Sequence, residues 1–101
     1  MQYDDIIKAI DDHLSKSQKR YYRDFFIGIT DDVANRLFGY HKVIKQDDWW
    51  IYCNADTDEI AQRVEKHYKD RGMDSGIGNC NDNSKFVYCY EITDKTKEHD
   101  E

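Results

Sequence analysis

Three short runs dense in aromatic and β-branched residues alternate along this chain with three stretches of helical periodicity: YYRDFFIGI at 21–29, WWIYCN at 49–54 and KFVYCYEI at 85–92. Each run is too short and too evenly apolar for an amphipathic helix, so each predicts a strand. Strands of this kind must be covered, and the intervening helices are what can cover them, which predicts an α/β layer architecture. With 101 residues, 39% of them hydrophobic, there is material for one modest core and none for a second domain.

The helical stretches have readable ends. Ile6, Ile7, Ile10 and Leu14 recur at three- and four-residue spacings after Asp4 and Asp5, acids that suit a helix N-terminus. Thr30 is expected to cap a second helix with Val33, Leu37 and Tyr40 or His41 on one face, running to about His41, its last turn weakened by Gly39. Asp56 and Glu59 have capping-box spacing ahead of a third helix with Ile60, Ala61, Val64 and Tyr68 inward and Gly72 as its stop. Residues 73–84, MDSGIGNCNDNS, hold no periodicity and many turn formers, and read as a loop. The imperfect alternation of KFVYCYEI suits a central strand. The domain is expected to span residues 1–93, with 94–101 a disordered acidic tail.

No apolar run reaches the roughly 20 residues that span a bilayer, and the acidic opening MQYDDIIKAIDDHL lacks the basic flank of a secretory leader. A cytoplasmic protein with no membrane contact is expected. Cys53, Cys80 and Cys89 lack zinc-type spacing, so reduced thiols are the expectation. With 21 acids against 15 bases the net charge is −6, which excludes a protein held on nucleic acid by overall charge alone. Any such contact must be local, and Lys16, Lys19, Arg20 and Arg23, which surround Tyr21 and Tyr22, form the one place where cations and aromatics interleave. A solvated helix end would look the same.

Phosphate-binding P-loop, G-x-S-x-G and H-E-x-x-H patterns are absent. What remains is sparser. Arg36 and Tyr40 stand four apart on one helical face, where a guanidinium and a phenol can address the same anion. Glu65, next to the inward Val64, stands at a boundary of core and solvent. An arginine for a phosphate, a carboxylate for a divalent cation and phenols for proton movement together suit phosphodiester hydrolysis. Each also has an ordinary reading: Arg36 covering apolar surface, Glu65 paired with Lys69, the tyrosines as core rings with wet tips.

FFIGITDDVANRL resembles the second half of the GIY-YIG nuclease signature, with Phe25-Phe26-Ile27-Gly28 at the Y-I-G strand end, Thr30 and Asp31 opening the helix, and Arg36 ten residues after Phe26. WWIYCNADTDEIAQRVEKHYKDRG is similar to that family's third strand and the helix bearing its metal-binding glutamate, which would be Glu65. The resemblance spans about residues 22–72. It implies a small three-stranded, mainly antiparallel sheet flanked by three helices. It also implies DNA hydrolysis with Mg²⁺ or Mn²⁺ on Glu65 and Arg36 on the scissile phosphate. Tyr40 would match the family's His/Tyr position, and Asn79 or Asn81 its late asparagine. Two positions depart from the pattern: the Y-I-G tyrosine is Phe26, and no G-I-Y strand precedes it. FVYCY has the composition of that missing strand, so a permuted sheet is expected in which Tyr88 or Tyr90 takes the place of the first tyrosine.

Two functions follow as expectations. One is a minimal GIY-YIG-like nuclease acting on DNA through Arg36, Tyr40, Glu65 and Tyr88. The alternative is a non-catalytic, anti-CRISPR-like protein of a phage or mobile element, whose acidic surface binds and inhibits a host defence nuclease.

Overall fold

The computed structural model describes residues 1–17, 21–44, 49–75, 85–94 and 96. Helix α1 spans Tyr3–Ser15, strand β1 Phe25–Thr30, a π-helical segment Asn35–Tyr40, strand β2 Trp50–Asn54, helix α2 Asp58–Lys69, strand β3 Asp74–Ser75 and strand β4 Phe86–Glu91. The result is a small α+β domain with a four-stranded mixed sheet in the order β2-β4-β1-β3. No helix among the described residues is long and apolar enough to cross a membrane.

The sheet differs from the three antiparallel strands expected. β4 does stand centrally, antiparallel to both β1 and β2. The fourth strand, β3, lies inside the stretch read as loop and pairs parallel to β1 through Phe26↔Asp74 and Ile27↔Ser75. Two residues carry no periodicity, so a strand this short leaves no mark on the sequence. Gly72 places it: its φ of 112° turns the chain at the end of α2 toward the β1 edge.

Strand alternation sorts the side chains cleanly. Phe25, Ile27, Cys53, Val87 and Cys89 face the helices, where Ile6 and Ile10 of α1 and Ala61, Val64 and Tyr68 of α2 complete one core. Full burial of each large aliphatic there contributes about 1.5–3 kcal/mol. The Tyr68 phenol donates to the Asp11 carboxylate at 2.8 Å and lies 3.2 Å from the Ile7 carbonyl, tying α2 to α1. Cys53 and Cys89 are free thiols in this core, and burial raises both above their ordinary pKa. Phe26, Tyr88 and Tyr90 face the other way, against Leu37 and Val43.

Several local expectations shift by a residue or more. β1 begins at Phe25 rather than Tyr21, because Tyr22–Asp24 form a 3₁₀ turn. Thr30 ends β1, its Oγ1 accepting from the Asp32 amide, and the Asp32 carboxylate accepts from the Asn35 amide in the role assigned to Thr30. Thr57, not Asp56, caps α2 by accepting from the Ile60 amide at 3.1 Å. The second helix is the largest change: it is a short π-type segment rather than an α-helix over residues 31–41.

Candidate functional site

The π segment decides which residues meet the sheet. Its widened turn is closed by the His41 amide bonding to the Arg36 carbonyl at 2.9 Å, five residues back. One extra residue per turn carries His41, fully buried, onto the sheet face. Tyr40 stays at the margin, its ring 4.4 Å beneath the Arg36 guanidinium. The chain leaves this turn through Lys42 at φ 61°, a left-handed conformation uncommon for a residue with a side chain.

His41 meets two tyrosines from one strand. Its Nε2 lies 2.8 Å from the Tyr88 hydroxyl and its Nδ1 2.9 Å from the Tyr90 hydroxyl. Residues two apart on β4 point to the same side, so the imidazole spans a pair that alternation alone brings together. Phe26 closes the group, near-parallel to Tyr88 at 6.2 Å and to Tyr90 at 5.3 Å, and 4.7 Å from the His41 ring. Tyr88 lies opposite Gly28 on β1. A Cβ at Gly28 would come within 2.4 Å of the Tyr88 Cζ and Oη, so only glycine admits the ring there.

The Tyr88 phenol is where the groups converge. Burial is the main reason its pKa is pushed up to about 12, opposed by a hydrogen bond and positive charge from Arg36 and reinforced by the negative charge of Glu65. It is therefore protonated at neutral pH. His41 thus bridges the two hydroxyls, and its tautomer sets which of them it donates to and which it accepts from. Glu65, on the flank of α2, is half-buried, and desolvation raises its pKa against the pull of Lys69.

Of the residues named from sequence, Arg36, Tyr40 and Glu65 each bear electrostatically on the Tyr88 phenol, and the Arg36 guanidinium lies over the Tyr40 ring. The described members of the basic cluster stand elsewhere. Lys16 is exposed and paired with Asp12 at 3.4 Å, and the Arg23 guanidinium lies 4.5 Å over Tyr21. They flank a cleft of about 530 Å³ lined by Asp11, Leu14, Tyr21, Tyr22 and Phe25 on the helix side. Tyr22 packs near Tyr68 at 6.2 Å, so the phenol beside Arg36 is Tyr88. Lys19, Arg20, Asn79, Asn81 and Cys80 lie outside the described residues.

His41 was not among the sequence candidates for the site. Tyr90 stood as an equal of Tyr88, and His41 as an alternative to Tyr40 for the inward face. The i+5 turn that separates Tyr40 from His41 has no sequence signature beyond Gly39.

Among the described residues no three His, Cys, Asp or Glu side chains gather as a metal cage. Among the described residues Glu65 is the carboxylate whose charge bears on Tyr88, so a divalent ion here would rest on that one carboxylate. That fits Mg²⁺ or Mn²⁺ held jointly by one carboxylate, water and a substrate phosphate, and does not fit a resident structural metal. Comparison of the chain with protein-family models, curated proteins and solved structures finds no match.

Proposed function

We propose that this domain is a GIY-YIG-like nuclease that hydrolyses phosphodiester bonds in DNA with one Mg²⁺ or Mn²⁺. The observation that carries the reading is that the charges of Arg36 and Glu65, from two separate elements, bear on the buried Tyr88 phenol of a third, to which Arg36 is joined through the Tyr40 ring beneath it and the neighbouring His41. The pairing of β4 with β1, Gly28 opposite Tyr88, supports the part of the reading that needs a late strand beside the F-I-G strand.

Roles follow from the geometry. Arg36 presents a planar fork of donors suited to a phosphate, its charge also bearing on Tyr88. Tyr88 is 2% exposed, so it acts by holding Arg36 in place rather than by reaching a substrate. His41 holds Tyr88 in turn. Glu65 would hold the divalent ion, which supplies positive charge to the phosphoryl oxygens and acidifies a bound water. Tyr40 lies against Arg36 and limits the swing of its guanidinium.

Phe26 favours a second reading. It sits at the Y-I-G tyrosine position, buried and without a hydroxyl, so a catalytically silent member that occupies a host nuclease would keep the packing and lose the chemistry. The test is cleavage of supercoiled and single-stranded DNA with Mg²⁺ or Mn²⁺ by the wild type, Glu65→Ala and Arg36→Ala. Metal-dependent cutting by the wild type that is lost in both variants is expected. A folded wild type that cuts nothing with either metal overturns hydrolysis and leaves the binding reading.

A further inference from the structure

Next to the phenol cluster the sheet ends in an aromatic surface that the hydrolytic residues do not use. β2 is an edge strand, and its residues alternate strictly: Ile51 and Cys53 enter the core under the helices, while Trp50 and Tyr52 face the side that carries Tyr88. In the register Tyr52 stands directly opposite Tyr88, and Trp50 opposite Tyr90. The Trp50 and Tyr52 rings are nearly parallel, 8° apart with centroids at 6.3 Å. Phe38 abuts Trp50 edge-on at 5.2 Å, and Phe86 abuts Tyr52 at 6.2 Å. Tyr52 is thus held on two sides and is still 49% exposed, whereas Tyr88, one strand inward, is closed.

A rigid aromatic ring with an open face is what an unpaired base stacks on. Directly opposed side chains on neighbouring strands are about 5 Å apart at Cβ. A base on Tyr52 would therefore bring its own phosphate toward Arg36, whose guanidinium lies over Tyr40 next to His41, the partner of Tyr88. The chain's net charge of −6 removes overall attraction to a polyanion, so recognition must come from contacts of this kind. A duplex keeps its base faces covered by neighbouring pairs and cannot supply an open one without unstacking.

We propose that Tyr52, braced by Trp50 and Phe86, is a stacking platform for an unpaired nucleobase, and that it delivers the adjoining phosphodiester of a single strand to Arg36. The delivery half rests on the hydrolytic reading above; the platform does not.

The test measures binding of a labelled oligothymidylate and of a hairpin duplex in EDTA, where nothing can be cut, to the wild type, Tyr52→Ala and Tyr52→Trp. Single-strand binding that weakens about tenfold or more in Tyr52→Ala, persists in Tyr52→Trp and exceeds duplex binding is expected. Thermal melting of Tyr52→Ala close to wild type shows that the loss is not one of folding. Equal binding by Tyr52→Ala and wild type, equal binding of duplex and single strand, or no binding by the wild type overturns the platform. A Tyr52-dependent dimer in sedimentation that excludes the oligonucleotide gives the surface to a second copy of the chain and also overturns it. The two readings fail separately. Single-strand binding without metal-dependent cutting removes hydrolysis and keeps the platform, and duplex cutting unaffected by Tyr52→Ala does the reverse.

Discussion

The two faces of the sheet are built on different principles. Under α1 and α2 the contacts are mainly apolar and non-directional, Ile27, Val87 and Cys89 against Ile6, Ile10, Ala61 and Val64, with the Tyr68 phenol tying the two helices. On the opposite face the buried groups are Phe26, Tyr88, Tyr90 and His41, and the hydroxyls and imidazole there satisfy one another. The first face holds the fold by the amount of surface it removes from water. The second is buried at no net penalty only while every hydrogen bond is kept. A chain that needed stability alone would gain nothing from the second arrangement, and the polar face is also the one that carries Tyr88, on which the charges of Arg36 and of Glu65 bear.

The contrast can be broken most forcefully from the helix side. Ile27→Ala removes a fully buried side chain from the apolar core and is expected to cost about 2–5 kcal/mol in urea denaturation. At temperatures where the variant remains folded, DNA binding should be unchanged. A loss of binding in the folded variant would mean that the two faces are not independent.

From the polar side, His41→Leu takes the imidazole from two buried hydroxyls, at about 1–3 kcal/mol for each hydrogen bond lost in the interior. Adding Tyr88→Phe and Tyr90→Phe removes those hydroxyls and should recover most of the loss. If the triple variant is less stable than His41→Leu alone, packing rather than hydrogen bonding holds this face. Gly28→Ala should cost about 1–3 kcal/mol by driving a methyl into the closed Tyr88 ring, with a change in the near-ultraviolet tyrosine signal. The same substitution without a spectral change would show that the ring is free to move.

The smallest effect sharpens the boundary between the faces. Desolvation raises the Glu65 pKa above its ordinary value, so the folded state binds its proton more tightly than the unfolded one. Stability from this group is present below the ordinary glutamate range and is lost as pH rises through the raised value. In EDTA, Glu65→Gln should therefore melt slightly higher than wild type at neutral pH and no higher near pH 3. Equal melting at both pH values would place Glu65 in an environment as wet as an ordinary surface carboxylate.

How much of this was legible follows from which signals are periodic. Ile6 and Ile10, and Ala61, Val64 and Tyr68, announce their helices by spacing and are buried as that spacing requires. FFIGI and WWIYCN read as strands from composition, and the central place of FVYCY follows from its being apolar on both sides. Arg36, Tyr40 and Glu65 stood out by residue type and position, and they lie around Tyr88. The cap fell one residue later than Asp56, to Thr57, which accepts from the Ile60 amide, while the Asp56 carboxylate accepts from the Gln2 side chain. His41 stayed hidden because a π turn and an α turn of the same residues have the same sequence.

Apart from β3 and the π segment, the order of elements along the chain, the inward face of each helix and the apolar character of each strand were determined by sequence alone, because spacing reports which side of an element avoids water. The neighbours of each strand were decided only in the tertiary structure. β4 lies between β2 and β1, and that register sets Tyr88 over Gly28 and beside Tyr52. Local pattern carries no information about which of several apolar strands will pair, since that choice depends on how all of them share one core and one set of covering helices. The same holds for His41: its two hydrogen bonds join it to residues 47 and 49 positions away, a relation that exists only once the sheet has closed against the π turn.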